Sequence, residues 1–154
     1  MTDISQFDPA AFLDMTMDAP SIKRPPLPTG DYRAVVGDVT SKPWTSGDGS
    51  KSGINWEIPL SIDVPAELQS SLGLDKPTIT LTDKIFLDLT PSGGLDNSPG
   101  KNGKIRRYRD ALDLNKPGDS FSARKMVGAV VLVKVGHRVY NNDIFEEVAG
   151  IARA

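Results

Sequence analysis

The clearest pattern in the chain runs from Ile54 to Val64. Ile54, Trp56, Ile58, Leu60, Ile62 and Val64 share one parity, while Asn55, Glu57, Pro59, Ser61 and Asp63 hold the other. Successive side chains of an extended chain point to opposite faces, so this is a strand with one buried and one wet face. Pro59 sits on the wet parity and has no N–H for a ladder, which marks an edge or a bulge. A strand of about ten residues precedes it from Asp31, where Tyr32, Ala34 and Val36 alternate with Arg33 and Val35. Between the two, Thr45 to Gly53 has the glycine and serine content of a mobile hairpin tip. Thr78 to Thr90 returns to strand through Ile79, Leu81, Ile85, Leu87 and Leu89. Ala129 to Val139 is a β-prone run, Tyr140-Asn141-Asn142-Asp143 a tight turn, and a fifth strand continues almost to Ala154.

Helical spacing occurs in fewer places. Pro65 to Leu74 reads as a short surface helix ending at Gly73, and a long loop spans Pro91 to Gly103. A helix then runs from Lys104 to about Leu114, with Ile105, Tyr108, Ala111 and Leu112 forming one stripe. Asn115-Lys116-Pro117-Gly118 stops it, and Ser122 to Val127 is a single turn closed by Gly128. The resulting fold class is mainly β. Five strands with one helix between strands three and four is the order of an OB-like β-barrel, expected over residues 31–154. A sandwich or jelly roll stays open, because periodicity does not fix strand pairing.

Residues 1–30 follow a different rule. Asp3, Asp8, Asp14 and Asp18 come first, then Lys23 and Arg24, then Pro25-Pro26-Leu27-Pro28. Prolines fix φ and remove donors, so the end of this arm is extended and polyproline-like. Asp8-Pro9 reads as the cap and first residue of a short helical turn. Phe7, Phe12, Leu13, Met15 and Met17 supply apolar anchors in a segment that cannot build a core of its own. Such an arm either dangles or docks, and Phe7, Phe12, Leu13, Met15, Pro25, Pro26 and Pro28 are its expected partner-binding residues.

Composition narrows the function. The 154 residues suit one domain. There is no cysteine, so disulfides and thiolate metal sites are excluded. The acidic, proline-broken start does not read as a leader, and no apolar run approaches the roughly 20 residues that span a bilayer. A net charge of −2 gives no general attraction to nucleic acid, which leaves only local patches. Catalysis is not expected. The one histidine, His137, lies in a strand beside Arg138 and reads as a surface or packing residue. The acidic residues are scattered, so no metal or cofactor is expected. The glycine loop Gly47 to Gly53 joins two strands and lacks the Gly-Lys-Ser/Thr ending of a phosphate loop.

One charged constellation stands out. Lys101, Lys104, Arg106, Arg107 and Arg109 put five cations into nine residues, with Arg124 and Lys125 behind them. With Trp44 or Tyr108 as a stacking ring they would suit a nucleic-acid strand. Equally, they are the solvated face of an amphipathic helix, and Tyr108 falls on that helix's apolar stripe. Trp56 belongs to the core, while Trp44 is the better candidate for an exposed contact.

Gly30-Asp31-Tyr32-Arg33-Ala34-Val35-Val36, Arg107-Tyr108-Arg109-Asp110-Ala111-Leu112, Met126-Val127-Gly128, Tyr140-Asn141-Asn142 and Glu146-Glu147-Val148 together carry a resemblance. From Gly30 to the end the chain resembles phage-encoded OB-fold proteins related to single-stranded-DNA-binding proteins. The resemblance implies the barrel and single-stranded DNA as a partner. The chain departs from it by ending Gly150-Ile151-Ala152-Arg153-Ala154, without an acidic tail, and by carrying the apolar arm. On that ground a capsid decoration protein is the first expectation, its arm holding a major capsid protein or neighbouring copies of itself in a homo-oligomer. Single-stranded DNA binding is the alternative. The expected location is the virion or the host cytoplasm, without a membrane.

Overall fold

The computed structural model describes residues 4–154. Six antiparallel strands form one sheet: β1 (Gly30–Val36), β2 (Thr40–Thr45), β3 (Ser52–Asp63), β4 (Thr78–Phe86), β5 (Val130–Tyr140) and β6 (Asp143–Arg153). The path runs β2-β3-β1-β5-β6, with β4 on the other side of β3. Among the described residues three helices accompany them: α1 (Pro9–Asp14) before β1, then α2 (Ala66–Ser71) and α3 (Gly103–Ala111) between strands, plus a 3-10 turn at Ala123–Met126.

The strand expected from Asp31 is broken in two, which raises the count to six. β1 pairs with β3 as far as Val36↔Leu60, and β2 resumes on the same side at Thr40↔Glu57. Three residues of one strand (37–39) therefore oppose two of the other (58–59), the signature of a β-bulge. Pro59 sits opposite this break, so its missing N–H costs no ladder bond on that side. It is not at an edge, because Thr82 of β4 pairs with it on the other flank. Gly37 makes the bend possible, since its N–H donates to the Pro59 carbonyl and a Cβ there would lie 3.0 Å from Pro59 Cγ.

The parity of β3 is borne out on its inner face, where Trp56, Ile58, Leu60 and Ile62 are buried. They pack with Ala34 and Val36 of β1, Ile85 of β4 and Val131, Val133 and Val135 of β5. α3 closes this core with Ile105, Tyr108 and Ala111, the stripe expected from its spacing. It ends at Ala111 rather than near Leu114. Asp113 adopts φ 59°, and the amides of Asp113 and Leu114 bond back to the carbonyls of Asp110 and Arg109. That is a Schellman stop with aspartate where glycine is usual. β4 also ends early, at Phe86, because the chain from Leu87 turns into a loop that Leu89↔Leu95 bridges. Asn141 and Asn142, at φ 50° and 61°, make the tight turn from β5 to β6. β4 and β6 approach each other without forming a ladder, and α3 packs on β6. Among the described residues no helix is long and apolar enough to cross a membrane.

Candidate nucleic-acid interface

The outer face of β2, β3 and β4 carries what the inner face does not need. Register puts Lys42 and Phe86 on either side of Asn55, and Thr40 and Lys84 on either side of Glu57. Trp44 pairs with Gly53. Phe86 is 58% exposed, although a large ring in a strand is normally buried. Its ring meets the Trp44 indole edge-on, with centroids 5.3 Å apart. β2 and β4 flank β3 and so stand about 10 Å apart, which means the two rings can meet only by reaching over β3. Gly53 leaves the room, since a Cβ there would fall 2.8 Å from Trp44 Nε1. Asn55, on the parity expected to be wet, is instead buried beneath this pair. Asn55 Oδ1 and Trp44 Nε1 both lack a hydrogen-bond partner there.

Charge around the rings is modest and mixed. Lys42 pairs with Glu57 at 3.1 Å, and Lys84 lies 6.0 Å from the Phe86 ring centre. The 46–51 hairpin beyond Trp44 is organised by Asp48, which accepts from Ser46 Oγ, Ser50 Oγ and the Ser50 amide. These bonds favour the carboxylate and hold its pKa down at about 2.

At this same end of the face, β4 is latched to α3. Two residues after Phe86, Asp88 exchanges three hydrogen bonds with Asn102: Asn102 Oδ1 accepts from the Asp88 amide, Asp88 Oδ2 from the Asn102 amide, and the Asp88 carbonyl from Asn102 Nδ2. Lys101 and Lys104 therefore begin beside the end of β4, both exposed. Arg106 is exposed on the same helix and lines a pocket of about 390 Å³ with Lys101, Arg109 and Phe121. Arg109 stacks on Phe121, 4.8 Å from the ring centre, and donates through Nε to the Leu114 carbonyl. Asp96, also in this pocket, is held below the usual carboxylate range by bonds from Ser98 and by the charge of Lys101.

Other residues expected at a nucleic-acid surface face elsewhere. Tyr108 is fully buried and donates to Asp83 Oδ2 at 2.7 Å, so its ring cannot stack on a base. Burial, then the Asp83 carboxylate, pushes its hydroxyl pKa well above the ordinary range. Arg107 is half-buried beside Asp110 and Ile151, with its Nε unpartnered. Lys125 donates to the Ser120 carbonyl.

The arm divides into two parts. Arg24 pairs with Glu146 at 2.9 Å, Glu146 also accepts from the Leu27 amide, and His137 Nε2 donates to the Leu27 carbonyl at 2.7 Å. Lys23 bonds the Ile144 carbonyl and lies 3.8 Å from the Phe145 ring centre. Leu27 is fully buried, so Pro25, Pro26 and Pro28 belong to a segment clamped on the chain's own β5–β6 hairpin. Before it, Phe7, Phe12, Leu13 and Met15 are all exposed. Among the described residues no group of three or more His, Cys, Asp or Glu is placed to hold a metal.

No family model matches the chain, and no curated protein matches it.

Proposed function

We propose that the chain is a non-enzymatic binder of single-stranded nucleic acid, with Trp44 and Phe86 as its stacking rings. The observation that carries this reading is the Trp44–Phe86 pair, with Phe86 exposed and Trp44 half-buried, held over β3 and continuous through Asp88–Asn102 with the cation-bearing start of α3. Base–aromatic stacking tolerates any sequence because every base offers a π-face, and lysines along the path neutralise phosphates. The fold fits this use when read as an OB-type barrel in which β1 and β2 count as one bent strand. Strands two and three are then β3 and β4, whose face is where such barrels take oligonucleotides. Closure would come from the approach of β6 to β4.

Lys42 is engaged by Glu57 and the face is otherwise sparsely charged, so few phosphates are neutralised. With about 0.7 counterions released per single-strand phosphate, the log–log salt slope should be shallow, near −1 to −2. Fluorescence anisotropy with a labelled oligothymidylate tests the reading. Trp44→Ala and Phe86→Ala should each weaken binding by about 5- to 150-fold, the range for loss of one stacked base. Binding indifferent to both substitutions sinks it.

A capsid decoration protein is the second reading, favoured by the exposed apolar side chains of residues 4–22. It requires the chain in many copies in purified virions, which mass spectrometry decides.

A further inference from the structure

The arm before Lys23 is shaped although none of residues 4–22 is buried. Asp8 caps α1 by accepting from the Ala10 amide, Pro9 opens the helix, and Phe7 meets Phe12 with ring centres 5.1 Å apart. Phe7 precedes the cap and Phe12 is the fourth helical residue, so this is a hydrophobic staple. Ile4, Phe7, Phe12, Leu13, Met15, Met17 and Ile22 are all more than half exposed. Asp8, Asp14 and Asp18 accompany them, and no lysine, arginine or histidine occurs before Lys23. A preformed, acidic, apolar segment suits an apolar pocket rimmed by cations.

The chain carries a pocket of mixed lining that offers both apolar wall and excess cations. Between α3 and the 95–102 loop, Leu95, Ile105 and Phe121 give it apolar walls, and Lys101, Arg106 and Arg109 outnumber Asp96 and Asp119. Its volume of about 390 Å³ lies within the ~300–1,000 Å³ of pockets that enclose ligands. Ten residues, 13–22, separate Phe12 from the clamp at Lys23, a reach on the order of 30 Å. Within one chain, residues 4–22 stay exposed and leave the pocket open.

We propose that the arm of one copy seats its Phe7–Phe12 pair in the α3–loop pocket of a second copy, so that the chain self-associates through exchanged arms. The proposal goes beyond the nucleic-acid reading and does not rest on it, because association is measured without any oligonucleotide.

Sedimentation velocity of the full chain over a concentration series should show reversible association. Phe7→Ala/Phe12→Ala and Lys101→Glu/Arg106→Glu should each weaken it at least tenfold. All four side chains are exposed in the single chain, and circular dichroism checks that the fold is kept. Mixing the Lys101→Glu/Arg106→Glu copy with an Asp8→Lys/Asp14→Lys copy should restore association between them. The absence of native cysteine allows a second arm: Leu13→Cys and Asn97→Cys copies, mixed and oxidised, should cross-link. A monomer at all concentrations, association untouched by these substitutions, or cross-linking only within a Leu13→Cys/Asn97→Cys double variant would each overturn the proposal.

Discussion

At the scale of single residues, the aromatic face depends on a side chain that is missing. Gly53 lies opposite Trp44, and an added Cβ would come within 2.8 Å of the indole nitrogen. Gly53→Ala should therefore lift the ring off β3, shift Trp44 emission to the red and weaken oligonucleotide binding. Stability should change by less than about 1 kcal/mol, because the displaced ring lies on the outer face and is not part of the buried core. The core holds the complementary case in Tyr108 and Asp83. The Tyr108 pKa is raised in the folded state, so its contribution to stability is present below the ordinary value near 10 and is lost as pH rises beyond it. Thermal melts from about pH 8 to 11 should show falling stability that Tyr108→Phe flattens. Tyr32, raised by burial and then by Glu146, leaves a residual slope. At neutral pH Tyr108→Phe should cost about 1–3 kcal/mol, since it strips a buried carboxylate of its donor. Both features left a trace in the sequence. Asp83 keeps the apolar parity of Ile79, Leu81 and Ile85, and Phe86 keeps the polar parity of Thr80, Thr82 and Lys84. Each is out of character with its row, and parity alone could have singled out Phe86 as a site residue.

At the scale of elements, local pattern was enough for the strands and for the stripe on α3. It was not enough for the break between β1 and β2. Gly37 and Pro59 are ordinary residues in isolation, and only pairing shows that they face each other. The clamp on the arm was hidden for the same reason, because Leu27 and Glu146 are 119 positions apart. Glu146 serves two donors, the Arg24 guanidinium and the Leu27 amide. Glu146→Ala should cost about 1–3 kcal/mol and speed hydrogen exchange at the Leu27 amide. Glu146→Gln keeps an acceptor for that amide and should retain most of its protection. Equal exchange rates in the two variants would remove Glu146 from the account of the clamp.

At the scale of the whole molecule, the described chain is a curved six-stranded sheet with its core on one side and two separate surfaces for contact. One is the aromatic face running toward α3; the other is the arm before Lys23. Stability should divide in the same way. Deleting residues 1–22 should leave the unfolding free energy within about 0.5 kcal/mol of the full chain, because none of residues 4–22 is buried. Extending the deletion through Pro28 removes the buried Leu27 and should cost roughly 2–5 kcal/mol, the range for losing a core leucine. If the shorter deletion is as costly as the longer, the arm contributes to the fold rather than to association.

The binding claim is tested most directly by tryptophan fluorescence. The two tryptophans divide cleanly, Trp56 being 6% exposed in the core and Trp44 standing on the outer face. In a Trp56→Phe variant all indole emission comes from Trp44, and stacking a base on that ring quenches it. Titration with oligothymidylate at low salt should give saturable quenching that added salt weakens. A Trp44→Phe variant should show little. Unchanged Trp44 emission, with no binding detected at low salt, would contradict the nucleic-acid reading.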